Sequence, residues 1–209
     1  MMDNTSVRHD GDINQNGTND KFRKSGLIQL DGDFFINRYG LFARLVNESD
    51  VDFILSLRTD KELTKYIHPT EESRENQLNW IKNYKLREAE GREYYFIFFY
   101  NGEPVGLNRV YNRSELYATS GSWLCKPGIE DWIPIAINFT FNDILFEILD
   151  IKLVVCDVRI NNKKVNKYHV LIGDQKIYQS DIDNFYYRTV DTFVPKRDKF
   201  VKLYHLNLK

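Results

Sequence analysis

The segment after one apolar run carries the side chains best suited to chemistry. The run LVVCDVRI (153–160) ends at Asn161 and Asn162, and Tyr168 and His169 follow within one short helical pattern. Tyrosine and histidine can give or take protons, and asparagine can cap a helix or hydrogen-bond a ligand. Both ring residues also lie on the inward stripe of that helix. The pattern therefore indicates either a capped, packed helix or a cofactor site.

Charge and hydropathy exclude several classes of partner. Lys plus Arg number 29 and Asp plus Glu number 30, so no net field attracts nucleic acid or an anionic membrane. No apolar run approaches about 18 residues, and the N-terminal stretch lacks the apolar core of a secretory signal. Cys125 and Cys156 are too few for a disulfide scaffold, and no metal-ligand spacing occurs. We expect a cytoplasmic protein with free thiols and no metal, membrane or nucleic-acid partner.

The chain divides into a polar extension and one folded unit. Residues 1–25 are rich in Asn, Asp and Gly and are predicted to be a disordered extension. Residues 26–209 are predicted to form a single domain. The element order is a strand, two helices, three strands, a helix, a strand, a helix and a strand, which predicts a mixed α/β sheet. An edge strand or hairpin is predicted at 27–36, and further strands at 39–46, 93–100, 106–113, 115–126, 153–160 and 185–194.

Capping signals place the helices. Ser49, Thr59 and Thr70 are predicted caps, because each precedes a run with helical spacing. Gly173 is predicted to end the last clear helix. The predicted helices cover 51–58, a short stretch ending near Ile67, 71–90, 133–149 and about 163–172.

Residues 40–175 resemble the GCN5-related N-acetyltransferase (GNAT) family. The stretch 41–60 resembles the opening strand and helix of that family, and 94–112 resembles its second hairpin with Gly106 in place. The most specific match is the spacing of Asn162, Val165, Tyr168 and Gly173. The resemblance implies the GNAT fold, an α/β fold with a mixed central sheet of about six to seven strands. It also implies a splay between the family's strands four and five, about four flanking helices, and acetyl-CoA as cosubstrate.

The resemblance also implies where acetyl-CoA binds. The pantetheine arm would pair with the exposed backbone of strand four at Trp123, Leu124 and Cys125, where an N–H group would serve as oxyanion donor. Asn162 would contact the cofactor, and Tyr168 would protonate the departing thiolate.

Two further assignments stay open at this point. His169 is an alternative catalytic residue on the same stripe as Tyr168, and burial for packing alone fits both side chains. His68, in the loop that lines the family's acceptor pocket, either contacts substrate or is a plain turn residue.

The phosphate-binding loop departs from the family pattern. The family usually has small residues there, so that backbone N–H groups at a helix N-terminus can approach phosphate. Here the loop lies within PGIEDWIPIA (127–136), and its small positions fall on Glu130 and Trp132. Modified binding, a register error and loss of CoA all remain open. The expected phosphate-binding residues are Ile129, Glu130, Asp131 and Trp132.

The acceptor is predicted from the missing base. Thr119 stands where many relatives carry a carboxylate. An α-amine has a pKa of about 7.7–8.0, against about 10.4 for lysine, so weakly basic amines need less help. The resemblance thus implies N-acetylation of a nucleotide-linked aminosugar for surface polysaccharide biosynthesis. A protein N-terminal acetyltransferase and a degenerate, non-catalytic GNAT module are the alternatives, and a homodimer is left open.

Overall fold

The computed structural model describes residues 26–67 and 69–206. The predicted extension at 1–25 and His68 therefore lie outside the described residues. One eight-stranded sheet has the order β1-β2-β3-β4-β5-β6-β8-β7. Its strands are β1 (Phe35–Arg38), β2 (Leu41–Leu45), β3 (Tyr94–Tyr100), β4 (Glu103–Tyr111), β5 (Tyr117–Cys125), β6 (Leu153–Arg159), β7 (Gln175–Gln179) and β8 (Asp183–Arg188).

Among the described residues, five α-helices flank the sheet in two layers. The helices are α1 (Val51–Thr59), α2 (Arg74–Ala89), α3 (Trp132–Asp143), α4 (Lys163–Leu171) and α5 (Val190–Leu203). On one face, Ile54 of α1 and Ile81 of α2 pack in a cluster with Tyr95. On the other face, Phe139 of α3 and Phe193 of α5 belong to the larger core cluster. The mixed α/β prediction is confirmed, with one strand and one helix more than expected.

The sheet opens between β5 and β6, its one parallel pair. Their pairing runs from Tyr117 opposite Leu153 to Thr119 opposite Val155 and stops there. β5 continues to Cys125 along β4 alone. The resemblance matched β5 and β6 to strands four and five of the GNAT fold, so the splay predicted between those strands is confirmed.

A bulge reshapes β5 at the start of the gap. On the β4 side, Arg109 pairs with Gly121 and Leu107 with Leu124, so β5 carries one extra residue between these pairs. Ser122 absorbs the bulge with a φ of 54°, an unusual angle for a residue other than glycine. Bulges re-aim backbone and side chains locally, and this one lies at the mouth of the gap.

The contact between β4 and α3 requires a glycine. A Cβ atom on Gly106 would lie 2.6 Å from Ile137 Cδ1 and 2.9 Å from the Leu124 carbonyl oxygen. α3 can therefore approach the sheet closely beside β5 only while position 106 lacks a side chain.

The strand predicted at 185–194 is wrong in its second half. β8 ends at Arg188, and Thr189 begins α5, because its side-chain oxygen accepts the Thr192 N–H while Thr192 reaches back to the Thr189 N–H. This reciprocal cap outweighs the β-branched composition of the stretch. β7 was not predicted, since every one of its residues is exposed and no apolar alternation marks it.

The caps predicted near the first helices are also shifted. The segment after Thr59 forms turns instead of a helix, because Asp60 Oδ1 accepts the N–H groups of Glu62 and Leu63. Asn47, not Ser49, forms the first capping box, and Ser73, not Thr70, caps α2. Among the described helices, none combines the length and apolarity needed to cross a membrane.

Candidate active site

A cavity of about 550 Å³ passes through the gap between β5 and β6. Arg58 and Trp80 line it from the α1–α2 side, and Asn138 and His169 line it from the α3–α4 side. The cavity therefore connects both faces of the sheet at the one place where neighbouring strands do not pair. Two ligands entering from opposite sides can meet there.

The predicted pantetheine edge borders this gap. Trp123, Leu124 and Cys125 follow the last β5–β6 pair, so the β6-facing side of their backbone has no strand partner among the described residues. An extended ligand can add to such an edge as a further strand. The Trp123 indole N–H is buried and lies toward the Cys125 thiol. Burial raises the pKa of the Cys125 thiol to about 12, which keeps it protonated.

The Tyr168 ring packs against the Trp123 ring. The two rings are 4.9 Å apart, and the hydroxyl donates to Asn138 Oδ1 at 3.0 Å. Burial raises the pKa of Tyr168 well above its ordinary value, against the opposing charge of Arg188. The hydroxyl thus keeps its proton, the form an acid must have. Since the ring also packs against the main core, packing and catalysis are both compatible with its position.

His169 belongs to a buried polar network that joins α4 to β8. Its Nδ1 lies 2.5 Å from Asp174 Oδ2. Arg188 donates to both Asp174 oxygens from the other side, at 2.6 Å each. Burial by itself would raise the pKa of Asp174, but Arg188 and the His169 hydrogen bond bring it below its usual value. Asp174 is therefore an anion that holds a cation and an imidazole in fixed positions.

This network does not fit a metal ion. Ligand atoms of Cys156, His169 and Asp174 lie within 4.8 Å of one another. Both Asp174 oxygens, however, are already held by the Arg188 guanidinium, and a cation there would sit beside that positive charge. Burial also raises the pKa of the Cys156 thiol to about 12, so the thiolate that binds metals is scarce.

Asn162 caps the N-terminus of α4. It precedes α4 as its N-cap, and its Oδ1 accepts the Val165 N–H at 3.3 Å. Its side chain also lines the cavity. The cap leaves the side-chain NH2 group available, and the predicted cofactor contact stays a prediction.

The unusual loop before α3 is less obstructed than its sequence indicates. Trp132 is buried against Tyr100, with ring centroids 5.2 Å apart, so its bulk lies in the core. The Trp132 indole N–H donates to Glu130 Oε2 at 2.6 Å and ties that carboxylate to the loop. Asp131 occupies the N-cap without a side-chain cap bond. Ile129 packs against the core.

At the other end, the cavity is lined by cations and flat rings. The Arg109 guanidinium lies 5.1 Å from the Trp80 ring and 4.9 Å from the Tyr111 ring, and it also contacts Glu93. Arg58 donates to Thr70 at 2.7 Å. Such a wall suits a ligand that carries rings and negative charge.

Sequence reasoning missed Asp174 and Arg188. Asp174 directly follows the helix-ending Gly173, and Arg188 lies in an aromatic strand. A charged residue inside an otherwise buried strand pattern was the available signal, because such a charge requires a partner. The partner itself could not be read from spacing, since 14 positions separate the two.

Comparison with known proteins finds similar folds among solved structures. Neither a family model nor the sequence of a curated protein matches the chain. Among solved structures, apo FdhC, described as a nucleotide-linked sugar GNAT, is similar at 29% identity and a TM-score of 0.72. That similarity covers 85% of this chain and 99% of FdhC.

Two more distant structures share the fold. The Campylobacter jejuni N-acetyltransferase PseH in complex with acetyl coenzyme A is 17% identical at a TM-score of 0.55, covering 71% of this chain and 99% of that one. Mycobacterium smegmatis RimJ in complex with CoA-disulfide is 15% identical at a TM-score of 0.66, covering 85% and 93%.

Proposed function

We propose that the chain is a GCN5-related N-acetyltransferase, which takes acetyl from acetyl-CoA, and that its acceptor is the amino group of a nucleotide-linked aminosugar. The observation that carries the proposal is the likeness to FdhC, which extends over nearly all of that protein. The product would be an acetamido sugar nucleotide, a donor for a glycosyl transfer that builds a surface polysaccharide.

The residues on the α3 side suit the acetyl donor. When bound, acetyl-CoA supplies an activated thioester carbonyl. The free β5 edge at 123–125 would hold the extended arm, with a backbone N–H for the developing oxyanion. The diphosphate would lie at the loop before α3, where the Ile133 N–H already donates to the Glu130 carbonyl oxygen and Pro134 has no N–H. Tyr168, protonated at neutral pH, would give its proton to the leaving sulfur.

The opposite end suits a sugar nucleotide. Arg58 has no carboxylate within ion-pair distance among the described residues, so its guanidinium can meet a diphosphate. Trp80 and Tyr111 offer ring faces for a base or sugar. Asp157 and Glu71 also line the cavity and can attract an ammonium group.

Steady-state kinetics with matched acceptors test the proposal. The wild type should acetylate a nucleoside-diphosphate aminosugar with a kcat/KM about 100-fold above that for the same aminosugar without its nucleotide. Arg58→Gln should remove most of this preference by raising KM. Arg74→Gln is the control, because Arg74 is exposed and paired with Asp52 away from the cavity. Equal rates on both acceptors, or turnover of N-terminal peptides alone, would refute the sugar-nucleotide assignment.

A further inference from the structure

We propose that His169 is the general base that removes a proton from the acceptor ammonium, with Asp174 and Arg188 as positioning residues. The inference rests on the proposed amine acetylation and supplies the base for which the sequence offered no carboxylate. His169 lines the cavity that joins the donor and acceptor ends. It is only 6% exposed, so the contact with the cavity is made from an otherwise packed position.

The hydrogen bonds of the network set the tautomer of the imidazole. Asp174 is acceptor-only as a carboxylate, so the 2.5 Å contact places a proton on His169 Nδ1. In the neutral ring, Nε2 then carries the lone pair that a base needs. Arg188 holds Asp174 with two further bonds, which fixes the carboxylate and thereby the imidazole plane.

The charges around the imidazole balance. An unpaired Asp174 would favour the imidazolium, the form that cannot accept a proton. Arg188 neutralises Asp174 directly, and its side chain is 5% exposed, so solvent screens the pair little. The neutral, proton-accepting imidazole is therefore compatible with an adjacent carboxylate.

The other groups packed against His169 are neutral. The Cys156 thiol of β6 lies 3.8 Å from Nδ1 and 3.9 Å from Nε2. The Tyr186 ring of β8 stacks on the imidazole at 5.1 Å, and Tyr168 of α4 meets it edge-on at 6.0 Å. Together with Asp174 and Arg188, these side chains face the ring from α4, β6, β8 and the α4–β7 connection.

The proton balance is simple. One ammonium proton passes to Nε2, directly or through one water, and the neutral nitrogen then attacks the thioester carbonyl. As the carbon–sulfur bond breaks, Tyr168 protonates the leaving sulfur, and the second proton that the nitrogen loses returns to Tyr168, directly or through water. The imidazolium then loses its proton to solvent through the cavity. The network also reaches the proposed acid, because Asn138 Oδ1 accepts from Arg188 at 3.4 Å and from Tyr168 at 3.0 Å.

A pH-dependent rate comparison tests the role of His169. At about pH 7, His169→Gln should lower kcat/KM about 100-fold or more, while the affinity for acetyl-CoA and the melting temperature change little. Near about pH 9.5 the acceptor is already largely neutral, so the deficit should shrink to about tenfold or less. His205→Gln, at an exposed C-terminal turn, is the control and should match wild type. A deficit that stays constant with pH would assign His169 to packing and overturn the proposal.

A second measurement needs no substrate. Nitrogen-15 NMR of the holo protein with CoA should find that the neutral His169 imidazole is the Nδ1–H tautomer. Asp174→Asn should disturb this tautomer, and the same variant should shift the acid limb of the plot of kcat/KM against pH. A neutral imidazole with its proton on Nε2 in the wild type would overturn the base assignment, whether or not the protein turns over substrate. A protein that acetylates none of the amines tested would overturn only the proposed function. An acetylated Cys156 trapped during turnover would also refute the base assignment, because acetyl would then pass through a covalent enzyme intermediate.

Discussion

Tyr168 and His169 are neighbours in sequence, but they face different parts of the site. The Tyr168 ring packs against the Trp123 ring and its hydroxyl donates to Asn138, whereas the His169 imidazole lies against β6 and β8. Burial raises the pKa of the first and leaves it an acid, and the second is held by a paired carboxylate. Of the two, His169 lines the cavity, and Tyr168 reaches it through its contacts with Trp123 and Asn138, which are both lining residues.

Replacing the tyrosine hydroxyl tests the acid role. Tyr168→Phe should lower kcat at least about tenfold, because the leaving thiolate loses its proton donor, while acetyl-CoA affinity stays near wild type. Steady-state assays measure kcat, and isothermal titration calorimetry measures the affinity for acetyl-CoA. Tyr178→Phe serves as the control, since Tyr178 is 61% exposed on β7. Wild-type turnover in Tyr168→Phe would leave the side chain with a packing role alone.

The two thiols should be silent in the folded protein. Burial raises the pKa of Cys125 and of Cys156 to about 12, so neither forms much thiolate at about pH 8. Native protein should therefore release almost no thionitrobenzoate from DTNB. Protein unfolded in guanidinium should release two equivalents, which matches its two cysteines. Fast reaction of the native protein would show that a thiol is accessible.

At the residue scale, the sequence identified several candidate site residues but not the side chains that they contact. Tyr168, His169 and Asn162 were identified because helical spacing and a family-like segment are local patterns. Asp174 and Arg188 were not, because their pairing joins a helix end to a strand and depends on the fold. The network proposed as the base joins residues of α4, the connection after it and β8, so it leaves no short sequence motif.

At the element scale, α4 depends on its cap as well as on its stripe. Asn162→Asp keeps a side-chain oxygen for the Val165 N–H but loses the NH2 group, whereas Asn162→Ala loses both. The alanine variant should lose about 1 kcal/mol of unfolding free energy and the aspartate variant little, as measured by thermal unfolding. Both should raise the KM for acetyl-CoA if the predicted cofactor contact exists. An unchanged KM in both would restrict Asn162 to capping.

The close approach of α3 to β4 gives a second prediction at this scale. Gly106→Ala should destabilise the protein by about 1–3 kcal/mol, because the new methyl group would meet Ile137 and the Leu124 carbonyl. Denaturant unfolding measures the loss. Gly32→Ala is the matched control, since a Cβ there meets no atom within 4 Å. Equal stability of the two variants would contradict the packing described for this contact.

Elements with strong local signals were predictable, and edge elements were not. The apolar β6 and the hairpin of β3 and β4 follow from composition and turn residues. The exposed β7 carries no alternation, and the start of α5 depends on the reciprocal bonds between Thr189 and Thr192. The splay between β5 and β6 came from resemblance, because no local pattern encodes where two strands stop pairing.

At the scale of the whole molecule, a buried ion cluster joins the N-terminal hairpin to two helices. Asp143 of α3 contacts Arg38 at 3.1 Å, Arg197 at 2.5 Å and the Tyr39 hydroxyl at 2.7 Å. Burial raises the pKa of Asp143 to about 6, against the opposing effect of the two arginines. The folded protein therefore binds this proton more tightly than the unfolded chain, whose carboxyl titrates near 3.8.

This shift gives a stability prediction with a definite sign. The contribution of Asp143 is fully present below about pH 4 and is lost as the pH rises through about 6. Asp143→Asn cannot titrate, so the difference in unfolding free energy between wild type and variant should change across this window and be flat above it. Urea unfolding at several pH values measures the difference. A difference that does not vary between about pH 4 and 6 would contradict the raised pKa.

The central claim is that the cavity brings acetyl-CoA and the amine of a nucleotide-linked aminosugar together. A competition experiment tests it most directly: limiting acetyl-CoA with a labelled acetyl group, and an equimolar mixture of a nucleoside-diphosphate aminosugar, the free aminosugar and an N-terminal peptide. Mass spectrometry then identifies the acetylated product. Label should appear almost entirely on the sugar nucleotide. Label on the peptide, or no labelled product at millimolar acceptor, would contradict it.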